Sequence, residues 1–144
     1  MDAEWTFLAS PGGPANNSAT AAVAGDDIFL GATPNLVYDL EQRDGSVRWA
    51  SQTGLDLFAY QPVTFANGVL YLINDSGFLT TIDAGTGVPL QQRSIAADGG
   101  FSNCLGVGAG VAVARGFVYA PCDAGGLDDL AGLPAPPGGL IAYR

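Results

Sequence analysis

Phe65-Ala66-Asn67-Gly68-Val69-Leu70-Tyr71-Leu72 is the stretch on which the fold turns. Asn67-Gly68 is a two-residue hairpin signal, because both central positions of such a turn need positive φ. Beyond it, Val69-Leu70-Tyr71-Leu72-Ile73 is a short β-rich apolar run, closed by Asn74-Asp75-Ser76-Gly77. That is a strand held between two turns. The same pattern occurs 42 residues earlier in Val23-Ala24-Gly25-Asp26-Asp27-Ile28-Phe29-Leu30. A second pair of segments keeps the offset of 42: Leu40-Glu41-Gln42-Arg43-Asp44-Gly45 falls over Ile82-Asp83-Ala84-Gly85-Thr86-Gly87. Two independent segments in one register establish a repeat. A third copy starts at Val111-Ala112-Val113-Ala114-Arg115-Gly116-Phe117-Val118-Tyr119, 48 residues after the second. It resumes at Gly139-Leu140-Ile141-Ala142-Tyr143, after a Gly/Pro-rich insertion at 123–138 that ends in Pro134-Ala135-Pro136-Pro137.

Within the second repeat the pattern predicts four strands, Val63–Ala66, Val69–Ile73, Phe78–Ile82 and Leu90–Ser94, joined by short turns. No stretch carries a 3.6-residue apolar stripe, so no helix is expected. A four-stranded repeat of 40 to 45 residues is the signature of a β-propeller blade. The fold read from the sequence is therefore all-β, a partial β-propeller of about three four-stranded antiparallel blades. Residues 1–10 are read as the outer strand of a preceding blade, 21–54 as repeat 1, 63–96 as repeat 2 and 111–144 as repeat 3. The 21 Gly and 9 Pro among 144 residues are the turn inventory of this repeat.

Charge and composition exclude several classes of function. Five Lys plus Arg face 14 Asp plus Glu, for a net charge of -9. That balance argues against nucleic acid and anionic lipid as partners, since both need clustered cations. There is no His, so Ser-His-Asp catalysis, His-ligated zinc and His-ligated haem cannot arise within this chain. No window is long and apolar enough to span a membrane, and Met1-Asp2-Ala3-Glu4-Trp5 lacks the features of a signal peptide. The two cysteines, Cys104 and Cys122, match no metal or redox spacing. Two readings stand for them: separate buried thiols, or one disulfide joining a loop to the end of a neighbouring strand in an oxidising compartment.

The turn between the third and fourth strands resembles that of the pyrroloquinoline-quinone-type propellers, the quinoprotein alcohol dehydrogenase-like repeat family. In that family an Ala-x-Asp segment ends the third strand, a Thr-Gly turn follows, and a Trp lies on the fourth strand. Thr81-Ile82-Asp83-Ala84-Gly85-Thr86-Gly87 is similar to the turn, with Gln91 where the Trp would stand. The first repeat has a looser turn, Tyr38 to Gly45, but keeps the tryptophan as Trp49. Glu4-Trp5-Thr6-Phe7 resembles the fourth strand of a preceding blade, with Trp5 lying 44 residues before Trp49. The resemblance implies that Trp5, Trp49, Gly45, Gly87 and Asp83 are scaffold residues that dock blade on blade. The last repeat looks most similar to the carboxy-terminal blades of the polyvinyl-alcohol dehydrogenase type. The family also includes non-enzymatic scaffolds. The resemblance implies an extracytoplasmic (periplasmic or secreted) location and, in the full-length protein, pyrroloquinoline quinone with Ca2+. Neither a Cys-x-x-Cys-His haem motif nor an adjacent Cys-Cys pair is present.

Three blades do not close a ring of four to eight. The simplest expectation is that the chain is the carboxy-terminal part of a longer protein, whose remaining blades complete the ring. The second is a half-ring that pairs with a second copy, Glu4-Trp5-Thr6-Phe7 completing the blade that ends at Leu140-Ile141-Ala142-Tyr143. Propeller ligands sit near the central axis, on loops entering the innermost strands. Those loops carry Asn16-Asn17-Ser18, Asp56 with Tyr60-Gln61, and Phe101-Ser102-Asn103. Asn17, Tyr60, Gln61 and Asn103 are the candidates to contact a flat anionic quinone or a sugar ring, each also suiting an ordinary loop. Asp26-Asp27, Asn74-Asp75-Ser76-Gly77 and Asp128-Asp129 read as turn or loop chemistry, and no metal site is assigned. Gly106 to Gly110 is followed by no helix and so fails as a dinucleotide loop.

Overall fold

A computed structural model of the chain describes residues 2–9, 20–32, 36–53, 62–74, 76–105, 110–123 and 138–144. Strands β1 (Ala22–Ala24), β2 (Asp27–Ala32), β3 (Leu36–Glu41) and β4 (Val47–Gln52) form one antiparallel meander in the order β1-β2-β3-β4. Strands β5 (Thr64–Ala66), β6 (Val69–Ile73), β7 (Phe78–Asp83) and β8 (Pro89–Ser94) form the second. The expected strands of the second repeat lie where the turn signals put them, within a residue at each end. A third sheet holds β9 (Ala112–Ala114), β10 (Phe117–Cys122) and β11 (Gly139–Tyr143), with β10 in the middle. These are three blades of a propeller.

The sequence repeat persists at the level of single backbone bonds. Ladders β3/β4 and β7/β8 each carry an irregularity, between Asp39 and Leu40 and between Thr81 and Ile82, 42 residues apart. In the first turn Gly45 N–H donates to Glu41 O at 2.8 Å, and Gln42 N–H to Asp26 O at 2.8 Å. In the second, Gly87 N–H donates to Asp83 O at 2.8 Å, and Ala84 N–H to Gly68 O at 2.9 Å. Asp83 Oδ1 accepts from Thr86 N–H and Oγ1 at 2.9 and 2.7 Å, so its carboxylate closes the hairpin. The hairpins at Asn67-Gly68 and Arg115-Gly116 have both central residues at positive φ, the form whose twist matches the flanking strands.

Two apolar layers hold the blades together. Phe29 and Val37 of blade 1 bury against Val63, Leu70, Leu72, Ile82 and Ala84 of blade 2. Ile73, Leu79 and Ile95 of blade 2 bury against Val111, Ala120 and Cys122 of blade 3 and against Cys104. Alternation along each strand creates both layers, because successive side chains point to opposite faces.

Two features differ from the sequence reading, the helix after β8 and the strand number of the third sheet. A single-turn helix, α1 (Ile95–Gly99), follows β8. Ser94 caps it, accepting from Ala97 N–H, and left-handed Gly100 ends it. Its one buried residue, Ile95, is too little for a periodic signal. Glu4 to Phe7 is in no ladder, although Trp5 and Phe7 are half-buried and Glu4, Thr6 and Leu8 are exposed, the alternation of a strand. The third sheet has three strands among the described residues, not four.

Candidate functional site

The antiparallel registers gather one rim of the molecule from the starts of β1, β5 and β9 and the ends of β2, β6 and β10. Asn17, Tyr60 and Gln61, with Asn16, Ser18, Asp56, Asp75, Asp128 and Asp129, lie outside the described residues. Asn103 lies on this rim, exposed, and its Oδ1 accepts the Cys104 N–H at 2.8 Å. Next to it a disulfide joins Cys104 to Cys122, with the Cα atoms 5.1 Å apart. Leu105 N–H donates to Asp123 O at 2.7 Å just beyond it. The bridge therefore ties the loop carrying Asn103 to the end of β10. The alternative of two separate thiols is excluded.

The disulfide loop is pressed onto the β6–β7 turn. A Cβ on Gly77 would come within 2.2 Å of Cys104 O, so only glycine fits there. Asn74 is buried and shapes the turn by accepting the Phe78 N–H at 2.9 Å. Around this point loop, helix and two blades share one core.

The scaffold residues make two similar joints. Trp5 Nε1 donates to Gln42 O at 3.0 Å, and its ring lies where a Cβ on Gly45 would be, 2.5 Å from Cε3. Trp49 Nε1 donates to Ala84 O at 3.1 Å and its ring covers Gly87 in the same way, 2.6 Å from Cε3. Both glycines are at positive φ, 71° and 72°, which frees the space above the turn. Each indole thus seats its apolar face and satisfies its donor in one contact.

The junction of blades 2 and 3 is built differently. Gln91 pairs with Thr81 as Trp49 pairs with Asp39, but it carries no indole. An open cleft of about 650 Å³ lies here, lined by Val69, Tyr71, Leu79, Gln91, Arg93 and Tyr143 among others. The blades are instead clamped by charge. Arg93 donates to both oxygens of Asp98, at 2.7 and 3.0 Å, and its guanidinium lies 5.4 Å from the centre of the Tyr143 ring. The Tyr143 hydroxyl donates to Asp98 Oδ2 at 3.1 Å. Arg93 holds the Asp98 carboxyl below its ordinary range, while burial and then Asp98 push the Tyr143 phenol up. The sequence reading missed this trio, which comes from β8, α1 and β11 and has no spacing signature.

A second carboxylate was also missed. Asp39 is 3% exposed and lies on the face of β3 that blade 2 covers, opposite Phe29 and Trp49 in the ladders. Its Oδ1 has no hydrogen-bond partner. Burial, then the neighbouring Asp27, raise its pKa to about 6, against the pull of Arg48. Arg48 is committed to Asp27 at 2.7 Å and to Glu41. The signal was available in the strand, since Asp39 shares the parity of Val37 on the inward face.

A pyrroloquinoline quinone with Ca2+ would need six to eight oxygen ligands around the ion. The described rim offers Asn103, whose side-chain oxygen already holds the Cys104 amide, and no group of three or more acidic or cysteine side chains converges among the described residues. The described residues do not by themselves fit that cofactor, and no reaction step is derived through it.

Scanned against protein-family models the chain matches none, and no curated protein matches it. Solved structures do match. The quinohemoprotein alcohol dehydrogenase from Comamonas testosteroni superposes over 75% of this chain with a TM-score of 0.62 and 18% identity. A europium-containing methanol dehydrogenase covers 90% of the chain with a TM-score of 0.59 and 18% identity. BamB from Moraxella catarrhalis covers 70% with a TM-score of 0.52 and 17% identity. The chain spans 17%, 24% and 28% of those three proteins respectively. At such identities the likeness is one of fold, and it agrees with the three sheets: the chain folds as three consecutive blades of a β-propeller.

Proposed function

We propose that this chain supplies three blades of an extracytoplasmic quinoprotein-type propeller, the remaining blades coming from the rest of the same protein or from another copy. The observation that supports the reading most is the repeated joint, Trp5 on Gly45 and Trp49 on Gly87, each with its indole bonded to the backbone of the turn. Such joints stack blades around an axis, and ligands of a propeller collect on that axis. The disulfide supports an oxidising compartment, periplasmic or secreted. In this reading the complete ring belongs with the quinone-dependent alcohol dehydrogenases, its last blades being of the polyvinyl-alcohol dehydrogenase type. Asn17, Tyr60, Gln61 and Asn103 remain the candidate contacts in this reading, and the Ca2+ ligands would come from other blades.

The test is a titration of the complete protein with pyrroloquinoline quinone and Ca2+, followed by dye reduction with primary and secondary alcohols. Saturable binding and alcohol-dependent reduction are expected. A complete protein that binds no quinone and reduces no dye belongs to the second class, a non-catalytic propeller for protein or carbohydrate binding or scaffolding.

A further inference from the structure

The fold places no demand for charge at position 39. Thr81 lies 42 residues further on, and Thr81 and Ala142 face the corresponding residues Tyr71 and Tyr119 of their own blades. Asp39, Thr81 and Ala142 are therefore equivalent, and blades 2 and 3 carry a neutral side chain at this place. In blade 1 a carboxyl stands there instead, 3% exposed, with an oxygen that has no hydrogen-bond partner. Burying a polar group without a partner is costly, and burying a charged one more so.

Asp39 sits beneath the joint between blades 1 and 2. In the ladders it lies between Phe29 on β2 and Trp49 on β4. The Trp49 indole crosses from there to blade 2, donating to Ala84 O at 3.1 Å and covering Gly87. Blade 2 closes over the same layer with Val63, Leu70, Ile82 and Ala84. The charges that act on Asp39 come from its own blade. Asp27 on β2 and Glu41 on β3 disfavour its charged form, and Arg48 on β4 favours it. Arg48 is already held by Asp27 and by Glu41. On blade 2 the Asp83 carboxylate is taken up by Thr86, and among the described residues no cation of that blade acts on Asp39. While the joint is closed, a proton is what neutralises Asp39. In an open joint, water solvates the carboxylate. The two states hold the proton with different strength, so pH shifts the balance between them.

We propose that the joint between blades 1 and 2 is a pH-sensitive device: protonated Asp39 keeps the two blades closed around Trp49, and ionised Asp39 draws water into the joint and frees the indole from Ala84 and Gly87. Asp39 binds its proton more tightly in the closed joint than in the open one. Closure is therefore most favoured in acid and weakens as pH rises through about 6. Above that the carboxyl is charged in both states and the balance stops changing. The device belongs to the blade joint and operates whether or not a quinone binds at the axis.

The test compares the two indole N–H groups of the intact chain by solvent-exchange NMR from about pH 5 to about pH 8. Trp5 makes the same kind of joint on Gly45, so it serves as the reference and the ordinary pH dependence of exchange cancels in the ratio. The exchange rate of Trp49 relative to Trp5 should rise about tenfold between pH 5 and pH 7 and then level off, the form given by a carboxyl moved from the ordinary range to about 6. Asp39→Asn should hold the ratio flat at its acid value. Asp39→Thr, the side chain that blade 2 carries at this place, should do the same. A ratio flat with pH in the wild-type chain would overturn the proposal. So would a slope that survives in both variants, or the two indoles quickening together, which would mean that the whole chain opens.

Discussion

Trp49 and Gly87 form a joint in which each residue sets the requirement on the other. The indole needs a flat seat and an acceptor, and Gly87 supplies the seat because it has no Cβ and sits at φ 72°. Trp49→Ala should cost about 2–4 kcal/mol in denaturant unfolding, the low side of a buried tryptophan truncation because one edge stays in solvent. Gly87→Ala should cost a similar amount, since its Cβ meets the indole and the left-handed backbone is strained. The double variant should cost clearly less than the sum, because both changes break the same contact. Additive costs would mean that the turn and the tryptophan stabilise separate things.

Asp39 makes the opposite contribution at the same joint. Its carboxyl, raised from 3.8 to about 6, is protonated more readily in the folded chain than in the unfolded one. Its protonated form is therefore favourable below about pH 4, and that stability is lost as pH rises through 6. Asp39→Asn, a neutral side chain of the same shape, should stabilise the protein at pH 8 by on the order of 1–3 kcal/mol and change little at pH 4. Glu41, Asp44 and Asp98 have lowered values and give stability the reverse slope, so the difference between variant and wild type is the quantity to follow. A difference that is flat with pH would show that Asp39 is not the group titrating.

Among elements, the third sheet depends most on a covalent tie. Blades 1 and 2 have four strands each, whereas blade 3 has three among the described residues. The Cys104–Cys122 bridge closes a separation of 18 residues and packs the Asn103 loop against Gly77. Replacing both cysteines with alanine should cost about 3 kcal/mol, the chain-entropy value for a loop of this size. Hydrogen exchange should quicken in β9, β10 and β11 while β1 to β3 keep their protection. Equal loss in all three sheets would instead make the chain one cooperative unit. The contrast among elements also explains what the sequence made legible. Strands β5 to β8 were readable because Asn-Gly and Thr-Gly turns bound runs of one parity, and a 42-residue repeat confirmed each boundary. Helix α1 was not, since one turn with one buried residue carries no period. Neither was the Arg93–Asp98–Tyr143 clamp, whose members meet only when β11 returns beside β10. Of the candidate rim residues only Asn103 lies among the described residues, and its exposed position tells more about the turn at Cys104 than about a ligand.

At the scale of the whole molecule, net charge works against the compact state. The chain carries -9, from 14 Asp plus Glu against 5 Lys plus Arg. Such an excess of one sign repels itself when the chain is compact. The exposed pairs of Arg48 with Asp27 and Glu41, and of Arg93 with Asp98, oppose it only locally, and pairs of this kind contribute little. The Debye length shortens from about 30 Å at 0.01 M to about 8 Å at 0.15 M, which removes most of the long-range repulsion and leaves the close contacts less affected. The urea midpoint of unfolding should therefore rise as NaCl goes from about 10 to about 150 mM at fixed pH. A midpoint that falls steadily from the lowest salt would mean that the ion pairs, and not the net charge, set the salt response.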